Sequence, residues 1–221
     1  MELESIYKKL QIQDMNQMQK STYKTTENNT DVVLLSPTGS GKTLAFLFPV
    51  LRNLKKEATG IQALIVVPAR ELALQIEQVF KSMGTDFKVT VCYGGHDKKI
   101  EMNNLKEAPA VLIGTPGRIA YHMRNKNLDV KTIKNLVLDE FDKALELGFH
   151  DDMEYVIENM YNLFQRILTS ATSMDEIPKF TGLKDEKIVD FLKLGENKPD
   201  IQLRRVMTIS EEKLDTLFHL I

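Results

Sequence analysis

Short continuous apolar runs alternate along the chain with longer segments in which apolar residues recur at helical spacing. The strand-like segments cover residues 31–36, 61–67, 87–92, 110–113, 136–138 and 167–168, and the continuous apolar runs inside them are shorter, such as 32–35 and 63–67. Helical spacing is found in residues 41–54, 70–83 and 149–160. Uninterrupted apolar runs of this length are typical of strands buried on both faces of a sheet. The alternation predicts a three-layer α/β domain with a mostly parallel central sheet and helices on both faces.

Composition limits the class and the location of the protein. The chain has 221 residues and a formal net charge of -2, which suits one domain with a short tail. No apolar run approaches the roughly 18 residues of a membrane span, and the first residues lack the pattern of a signal peptide. The single cysteine, Cys92, excludes an intrachain disulfide and a cysteine-rich zinc site. We therefore expect a cytoplasmic protein with no membrane partner.

The charge balance also bears on nucleic-acid binding. A non-specific nucleic-acid binder usually carries a large positive excess, which this chain lacks. Any contact with nucleic acid must therefore be made locally, by a few placed residues.

A glycine-containing loop stands between the first apolar run and the first helical segment, the context that a phosphate-binding loop requires. The loop consists of Ser36, Pro37, Thr38, Gly39, Ser40, Gly41, Lys42 and Thr43. Gly39 and Gly41 allow a tight turn whose amides face an anion, and Lys42 can reach the β- and γ-phosphates of a nucleotide. The Thr43 hydroxyl can bind Mg²⁺. The alternative is an ordinary glycine-rich turn.

Two adjacent acidic residues end the apolar run at 136–138. Asp139 is placed to hold Mg²⁺ beside the phosphates, and Glu140 to orient or deprotonate an attacking water. Alone, such a pair could equally be a surface acidic pair. Together with the phosphate loop, it indicates a nucleoside triphosphatase that uses Mg²⁺.

Five further motifs, in order along the chain, resemble those of the DEAD-box ATP-dependent RNA helicases. They are residues 68–75 (PARELALQ), 94–95 (GG), 115–118 (TPGR), 139–142 (DEFD) and 170–172 (SAT). The resemblance covers about residues 10–195. It implies the first, ATP-binding, RecA-like domain of a bacterial helicase.

The resemblance assigns further roles. Gln19 stands where the family's glutamine reads the edge of adenine, although it could simply be a polar residue on a helix. Ser170 and Thr172 resemble the element that couples ATP state to RNA binding through hydrogen bonds to Asp142. The residues expected to grip the RNA sugar-phosphate backbone are Pro68, Arg70, Gly94, Gly95, Thr115, Gly117 and Arg118. Arg70 could instead pair with Glu71 on its own helix. Backbone contacts of this kind carry no base sequence, so binding is expected to tolerate any RNA sequence.

A domain boundary is expected near residue 195. Residues 1–195 would form the RecA-like domain. Residues 196–221 would form an interdomain linker and the start of a truncated second RecA-like domain, whose arginine finger is absent here. The fragment alone is therefore expected to be nearly inactive.

The sequence departs from the family pattern at four places. Phe141 replaces a small alanine, and we expect its ring to pack toward residues 170–172 rather than into solvent. Ala69 replaces a threonine and Ser36 an alanine. No aromatic residue near Glu2 or Leu3 offers a stacking surface for adenine.

Two alternative functions stay open from the sequence. One is a DNA helicase or another remodelling enzyme with a phosphate loop. The other is a nucleotide-gated RNA-binding or scaffold module that has lost catalysis through Phe141.

Overall fold

The central sheet of the protein contains seven described strands, all parallel. The computed structural model describes residues 3–174, 176–192, 206 and 213–218. The strands are β1 (Asp31–Leu35), β2 (Ala63–Val66), β3 (Val89–Cys92), β4 (Val111–Gly114), β5 (Asn135–Leu138), β6 (Gln165–Ser170) and β7 (Lys187–Asp190). Their order across the sheet is β3-β4-β2-β5-β6-β1-β7. The carboxyl ends of all seven strands therefore meet along one edge.

Helices connect the strands and cover the sheet. They are α1 (Leu3–Leu10), α2 (Gln17–Asn28), α3 (Lys42–Asn53), α4 (Arg70–Ser82), α5 (Lys98–Lys106), α6 (Pro116–Arg124), α7 (Phe141–Glu146), α8 (His150–Glu158) and α9 (Lys213–Phe218). Single 3₁₀ turns lie at Val130–Thr132 and Lys179–Thr181. Local sequence signals determine where several of these helices begin. Pro116 occupies the first turn of α6, where its missing N–H has no helical partner, and the Asp97 carboxylate caps α5.

Hydrophobic core residues lie on both faces of the sheet because successive strand residues point to opposite sides. In β2, Leu64 and Val66 face one core, while Ala63 and Ile65 face the other. The first core includes apolar residues of α6, α7 and α8, and the second includes residues of α3 and α4. This arrangement confirms the predicted three-layer α/β architecture.

Some elements differ from the sequence-based expectation. The edge strand β7 was not predicted, because three of its four residues are exposed and it lacks a continuous apolar run. Helices α1, α2, α5, α6 and α7 were not assigned either. The expected sheet was mostly parallel, and every described strand is parallel.

The expected boundary at residue 195 lies outside the described residues and stays a prediction. Within the expected start of a second domain, the described residues contain the short helix α9. In the described part of the chain, no helix combines the length and the apolar character needed to cross a bilayer.

Candidate functional site

The sequence motifs follow directly on the carboxyl ends of the strands. Ser36 follows β1, Pro68 lies just beyond β2, Thr115 follows β4, and Asp139 follows β5, while Ser170 is the last residue of β6. Strands β5, β6 and β1 are neighbours in that order. The phosphate loop, the acidic pair and the 170–172 segment are thereby brought together, although more than 130 residues separate the first from the last.

The phosphate loop is a compact turn held by its own hydroxyls. Gly39 and Gly41 have φ angles of 80° and 93°, a region that side chains rarely adopt. The Ser36 hydroxyl donates to Ser40 Oγ at 2.6 Å, and Ser40 Oγ donates to the Pro37 carbonyl at 2.7 Å. Ser36, a departure from the family pattern, thus adds a brace inside the loop.

Lys42 lies within this loop rather than in solvent. Its ammonium donates to the carbonyls of Ser36 at 2.7 Å and Pro37 at 3.0 Å, and the residue is 7% exposed. Burial lowers the pKa of Lys42, although the negative charges of Asp139 and its acidic neighbours act in the opposite direction. The lysine is therefore a pre-positioned cation at the start of α3.

Asp139 is buried and held by a residue that the sequence analysis missed. The hydroxyl of Thr169, which is fully buried in β6, donates to Asp139 Oδ1 at 2.5 Å and accepts from the Glu140 amide at 3.2 Å. Burial raises the pKa of Asp139 to about 6, even though the Thr169 hydroxyl and the Lys42 charge favour its ionised form.

Glu140 adopts a backbone conformation that is unusual for its residue type. Its φ and ψ angles are both 49°, in the left-handed region, at the residue that precedes α7. Such a conformation persists only where the surroundings hold it, here through the amide bond to Thr169. The side chain is only partly buried.

Asp142 connects α7 to the segment that follows β6. The Thr172 hydroxyl donates to Asp142 Oδ2 at 2.8 Å. Burial alone would raise the pKa of Asp142, but hydrogen bonds from Thr172, the Lys143 amide and Ser170 hold it below its usual value. The Ser170 hydroxyl also lies 2.6 Å from the Thr172 carbonyl. The hydrogen bonds needed for the predicted coupling are present, and the coupling itself stays a prediction.

Phe141 is fully buried in the hydrophobic core. The expectation that its ring avoids solvent is confirmed, whereas its packing toward residues 170–172 stays a prediction. Its aromatic neighbour is Phe180, with ring centroids 6.1 Å apart.

Gln19 supports the phosphate loop from α2. Its side-chain oxygen accepts from the Asn16 amide at 2.9 Å, in a capping box, and its Nε2 donates to the Gly41 carbonyl at 3.2 Å. Asn16, which the sequence analysis did not select, donates from Nδ2 to the Ser40 carbonyl at 3.0 Å. The predicted adenine contact thus starts from a side chain already fixed against the loop.

Most residues expected to contact RNA meet in one surface depression of about 530 Å³. It is lined by Arg70, Gly94, Lys98, Thr115, Gly117, Arg118, Tyr121 and Phe149. Gly95 is exposed in the turn next to Gly94, whereas Pro68 is buried and lies outside the lining. The alternative interpretation of Arg70 also has structural support, since its Nε lies 2.7 Å from Glu71 Oε1.

Arg118 lines this depression but is almost completely buried. Its Nη2 donates to the His96 carbonyl at 2.9 Å, and its Nη1 lies 3.3 Å from Glu101 Oε2. The residue is 9% exposed. Glu101, which is completely buried, was not selected from the sequence because nothing local distinguishes it from a surface glutamate of α5.

An all-parallel sheet with a glycine loop between its first strand β1 and the following helix defines a RecA-like α/β protein with a phosphate loop. Comparison with known proteins agrees. A family model described as DEAD/DEAH box helicase matches residues 16–180. The chain therefore belongs to the DEAD/DEAH box helicase family.

Individual relatives are similar over most of this chain but extend well beyond it. The ATP-dependent RNA helicase CshA of Limosilactobacillus reuteri is 40% identical over 151 residues, which make up 67% of this chain and 30% of the relative. The ATP-dependent RNA helicase DeaD of Escherichia coli strain K12 is 34% identical over 179 residues, 79% of this chain and 28% of the relative. A crystal structure of a DEAD box protein from Methanococcus jannaschii has a TM-score of 0.74 at 30% identity, covering 92% of this chain and 56% of that one.

Proposed function

We propose that this chain is the ATP-binding domain of an RNA-dependent ATPase that remodels or unwinds short RNA duplexes. The proposal rests chiefly on the convergence of Lys42, which follows β1, with Asp139 and Asp142, which follow β5, where the two carboxylates act on the pKa of the lysine. A cation in an amide-lined turn facing buried carboxylates is the arrangement that nucleoside triphosphate chemistry needs.

Each site residue has a distinct part in this proposal. The loop amides and Lys42 bind the phosphates, and the partly buried Glu140 orients or deprotonates the attacking water. Asp139 and Thr43 fit Mg²⁺, since a buried carboxylate and a hydroxyl at the first turn of α3 are the oxygen ligands that this ion prefers. When bound, Mg²⁺ would neutralise charge on the phosphates. Gln19 would read the adenine edge with the hydrogen-bonding capacity left after its bonds to Asn16 and Gly41.

RNA would bind along the depression that contains Arg70, Gly94, Thr115 and Gly117. Exposed glycine backbone and hydroxyl groups suit phosphate oxygens and sugars rather than bases. The net charge of -2 offers no general attraction, so these local contacts must supply the affinity.

The relatives point to a second domain. CshA and DeaD are named ATP-dependent RNA helicases, and the chain spans about 30% of the length of either. We infer that the complete activity needs a second RecA-like domain, which would close over ATP and RNA together.

Two substitutions in the full-length protein test the nucleotide site. Lys42→Ala should weaken ATP–Mg²⁺ binding about tenfold or more in a calorimetric titration, because it removes the cation from the phosphate loop. Lys55→Ala, at an exposed lysine away from the loop, is the matched control. Equal affinities in the two variants would remove the phosphate-loop assignment.

Glu140→Gln tests the chemical step. It should keep ATP binding and lower RNA-stimulated turnover about 10² to 10⁴-fold, because the amide has the shape of glutamate without its basicity. Glu146→Gln, at an exposed glutamate of helix α7, which follows Glu140, should leave turnover unchanged. Stimulation by DNA as strong as by RNA would favour the DNA helicase alternative instead.

A further inference from the structure

One carboxylate that the proposed site does not use is completely buried beneath the proposed RNA face. Glu101, on α5, has no exposed surface and receives polar contacts from both of the segments that flank the depression. We propose that Glu101 is the positioning residue that sets the relative placement of the Gly94–Gly95 turn and the start of α6. The inference rests on the proposed RNA-binding function of those segments.

Each carboxylate oxygen of Glu101 contacts one of the two segments. Oε1 accepts from the Tyr93 amide at 3.0 Å and lies 3.3 Å from His96 Nδ1, so it faces the glycine turn. Oε2 lies 2.8 Å from His122 Nε2 and 3.3 Å from Arg118 Nη1, so it faces α6. The arginine contact is an ion pair without hydrogen-bond alignment.

The contacts of His122 indicate that its ring donates a hydrogen bond to Glu101. The side chain is fully buried, and its Nδ1 lies 3.2 Å from Asn127 Nδ2. An amide nitrogen can only donate, so Nδ1 is the acceptor and the ring proton is on Nε2, which donates to Glu101.

The direction in which the pKa of Glu101 is shifted agrees with these contacts. Burial would raise it, but the bonds from His122 and the Tyr93 amide and the charge of Arg118 hold it below its usual value.

The segments that Glu101 joins carry the lining of the depression. Gly94 lies in the glycine turn, while Thr115, Gly117 and Arg118 lie at the start of α6. A shift of one segment relative to the other would misalign backbone groups that must meet successive phosphates. Glu101 itself is buried under this surface, so it acts on RNA only through the residues it positions.

The same pocket could be considered as a metal site, since Cys92, Glu101 and His122 offer ligand atoms within 4.8 Å of one another. The guanidinium of Arg118 already faces the carboxylate, and a fixed cation disfavours a dication next to it. Burial also raises the pKa of the Cys92 thiol to about 12, which opposes the thiolate that a metal would bind. The protein's own donors satisfy the carboxylate.

Glu101→Gln in the full-length protein is the direct test. Glutamine keeps one acceptor oxygen and replaces the other with a donor, so either the turn or α6 must face a donor instead of an acceptor. We expect the affinity for a fluorescein-labelled single-stranded RNA, measured by anisotropy with a non-hydrolysable ATP analogue, to fall on the order of tenfold. ATP–Mg²⁺ affinity should not change. Glu107→Gln, at the exposed end of the same helix, is the control and should bind RNA normally.

Several outcomes would overturn the inference. One is an RNA affinity of Glu101→Gln equal to that of the wild-type protein. Another is a parallel loss of RNA and ATP affinity, because that result indicates general destabilisation. Stoichiometric zinc in the purified protein that disappears in Cys92→Ser would show a metal site instead. Failure of the wild-type protein to bind RNA would contradict the proposed function itself. This result can be distinguished from failure of the positioning role, which affects only the variants.

A second pair of variants covers the case in which Glu101→Gln does not fold. His122→Gln retains an N–H that can donate to Oε2, whereas His122→Leu removes it. RNA binding should be retained in the first and weakened in the second. Equal RNA affinities in this pair would also contradict the positioning role.

Discussion

At the scale of single residues, the proposed Mg²⁺ ligand Asp139 is a buried carboxylate, and its burial affects the stability of the folded protein. Its pKa is raised to about 6 by burial, so the native state holds its proton more tightly than the unfolded chain does. Stability from this group is fully present at pH values below its ordinary pKa and is lost as pH rises through about 6. At neutral pH, the protein therefore bears the cost of an ionised buried carboxylate.

Asp139→Asn should accordingly stabilise the protein above pH 7, because it removes the charge and keeps the acceptor for Thr169. The gain in the free energy of unfolding should be on the order of 2–3 kcal/mol at pH 8 and should narrow toward pH 4. Urea unfolding without nucleotide or Mg²⁺ at both pH values measures it. The surface substitution Asp151→Asn, at a fully exposed side chain, should show no such pH-dependent gain. A gain that is larger at pH 4 would contradict the assignment.

Thr169 is the residue on which this carboxylate depends. Thr169→Val keeps the shape but removes both the donor to Asp139 and the acceptor for the Glu140 amide. We expect Mg²⁺-dependent ATP affinity to fall about tenfold, since hydrogen bonds to charged groups contribute about 1.5–3 kcal/mol. Thr169→Ser should restore it.

The control for Thr169 is Thr90→Val. Thr90 is also a buried strand threonine, and its hydroxyl makes no hydrogen bond to any described residue. Calorimetric titrations with and without Mg²⁺ should find this variant unchanged. If Thr169→Ser proves as defective as Thr169→Val, the hydroxyl is not the important group.

At the scale of elements, α7 joins the acidic motif to the core. Its first residue, Phe141, is fully buried, and the next, Asp142, is hydrogen-bonded to Thr172. The ring therefore anchors the helix that presents Asp142. The family's usual alanine could not fill the same volume.

Phe141→Ala should lower the free energy of unfolding by about 3–5 kcal/mol, because it leaves a cavity in a packed core. Phe164→Ala, at a ring that is 58% exposed, should cost far less in the same chemical denaturation experiment. If the variant folds, RNA stimulation of ATP turnover in the full-length protein should change more than ATP affinity. Comparable destabilisation by the two substitutions would show that α7 is not anchored in this way.

At the scale of the whole molecule, the proposed nucleotide site lies at one edge of a single sheet, and the relatives extend well beyond the matched part of this chain. The arginines that line the proposed RNA depression are Arg70 and Arg118. Arg70 pairs with Glu71 and Arg118 with Glu101, so each guanidinium already faces a carboxylate of the chain itself. Phosphoryl transfer in such enzymes gains about 10³ to 10⁵ in rate from an arginine finger.

We therefore expect the 221-residue chain to show no appreciable RNA-stimulated ATP turnover and no unwinding, while still binding nucleotide weakly. A steady-state assay with and without single-stranded RNA should compare it with a chain extended through the next domain. Lys42→Ala in the extended chain supplies the background rate. Similar stimulated rates from both lengths would mean that one domain is sufficient for catalysis.

The fold, and the meeting of the sequence motifs at one edge of the sheet, could largely be predicted from the sequence because their signals are local. Buried strands such as β1 and β5 are continuous apolar runs, and the phosphate loop and Asp139–Glu140 follow those runs directly. Parallel strands must bring their carboxyl ends to one edge, so the motifs had to assemble. The edge strand β7 escaped prediction because its exposure removes the apolar pattern.

Only the tertiary structure decided which buried polar groups meet. Thr169 reaches Asp139 across 30 positions of sequence, and Glu101 reaches His122 across 21. Such pairs depend on strand register and helix placement, which no local pattern encodes. Arg118 shows the difference most clearly: its motif marked it as an RNA contact, while the fold surrounds it with Glu101 and the His96 carbonyl. A buried charge must be paired, and its partner is determined by whatever the packing places within reach.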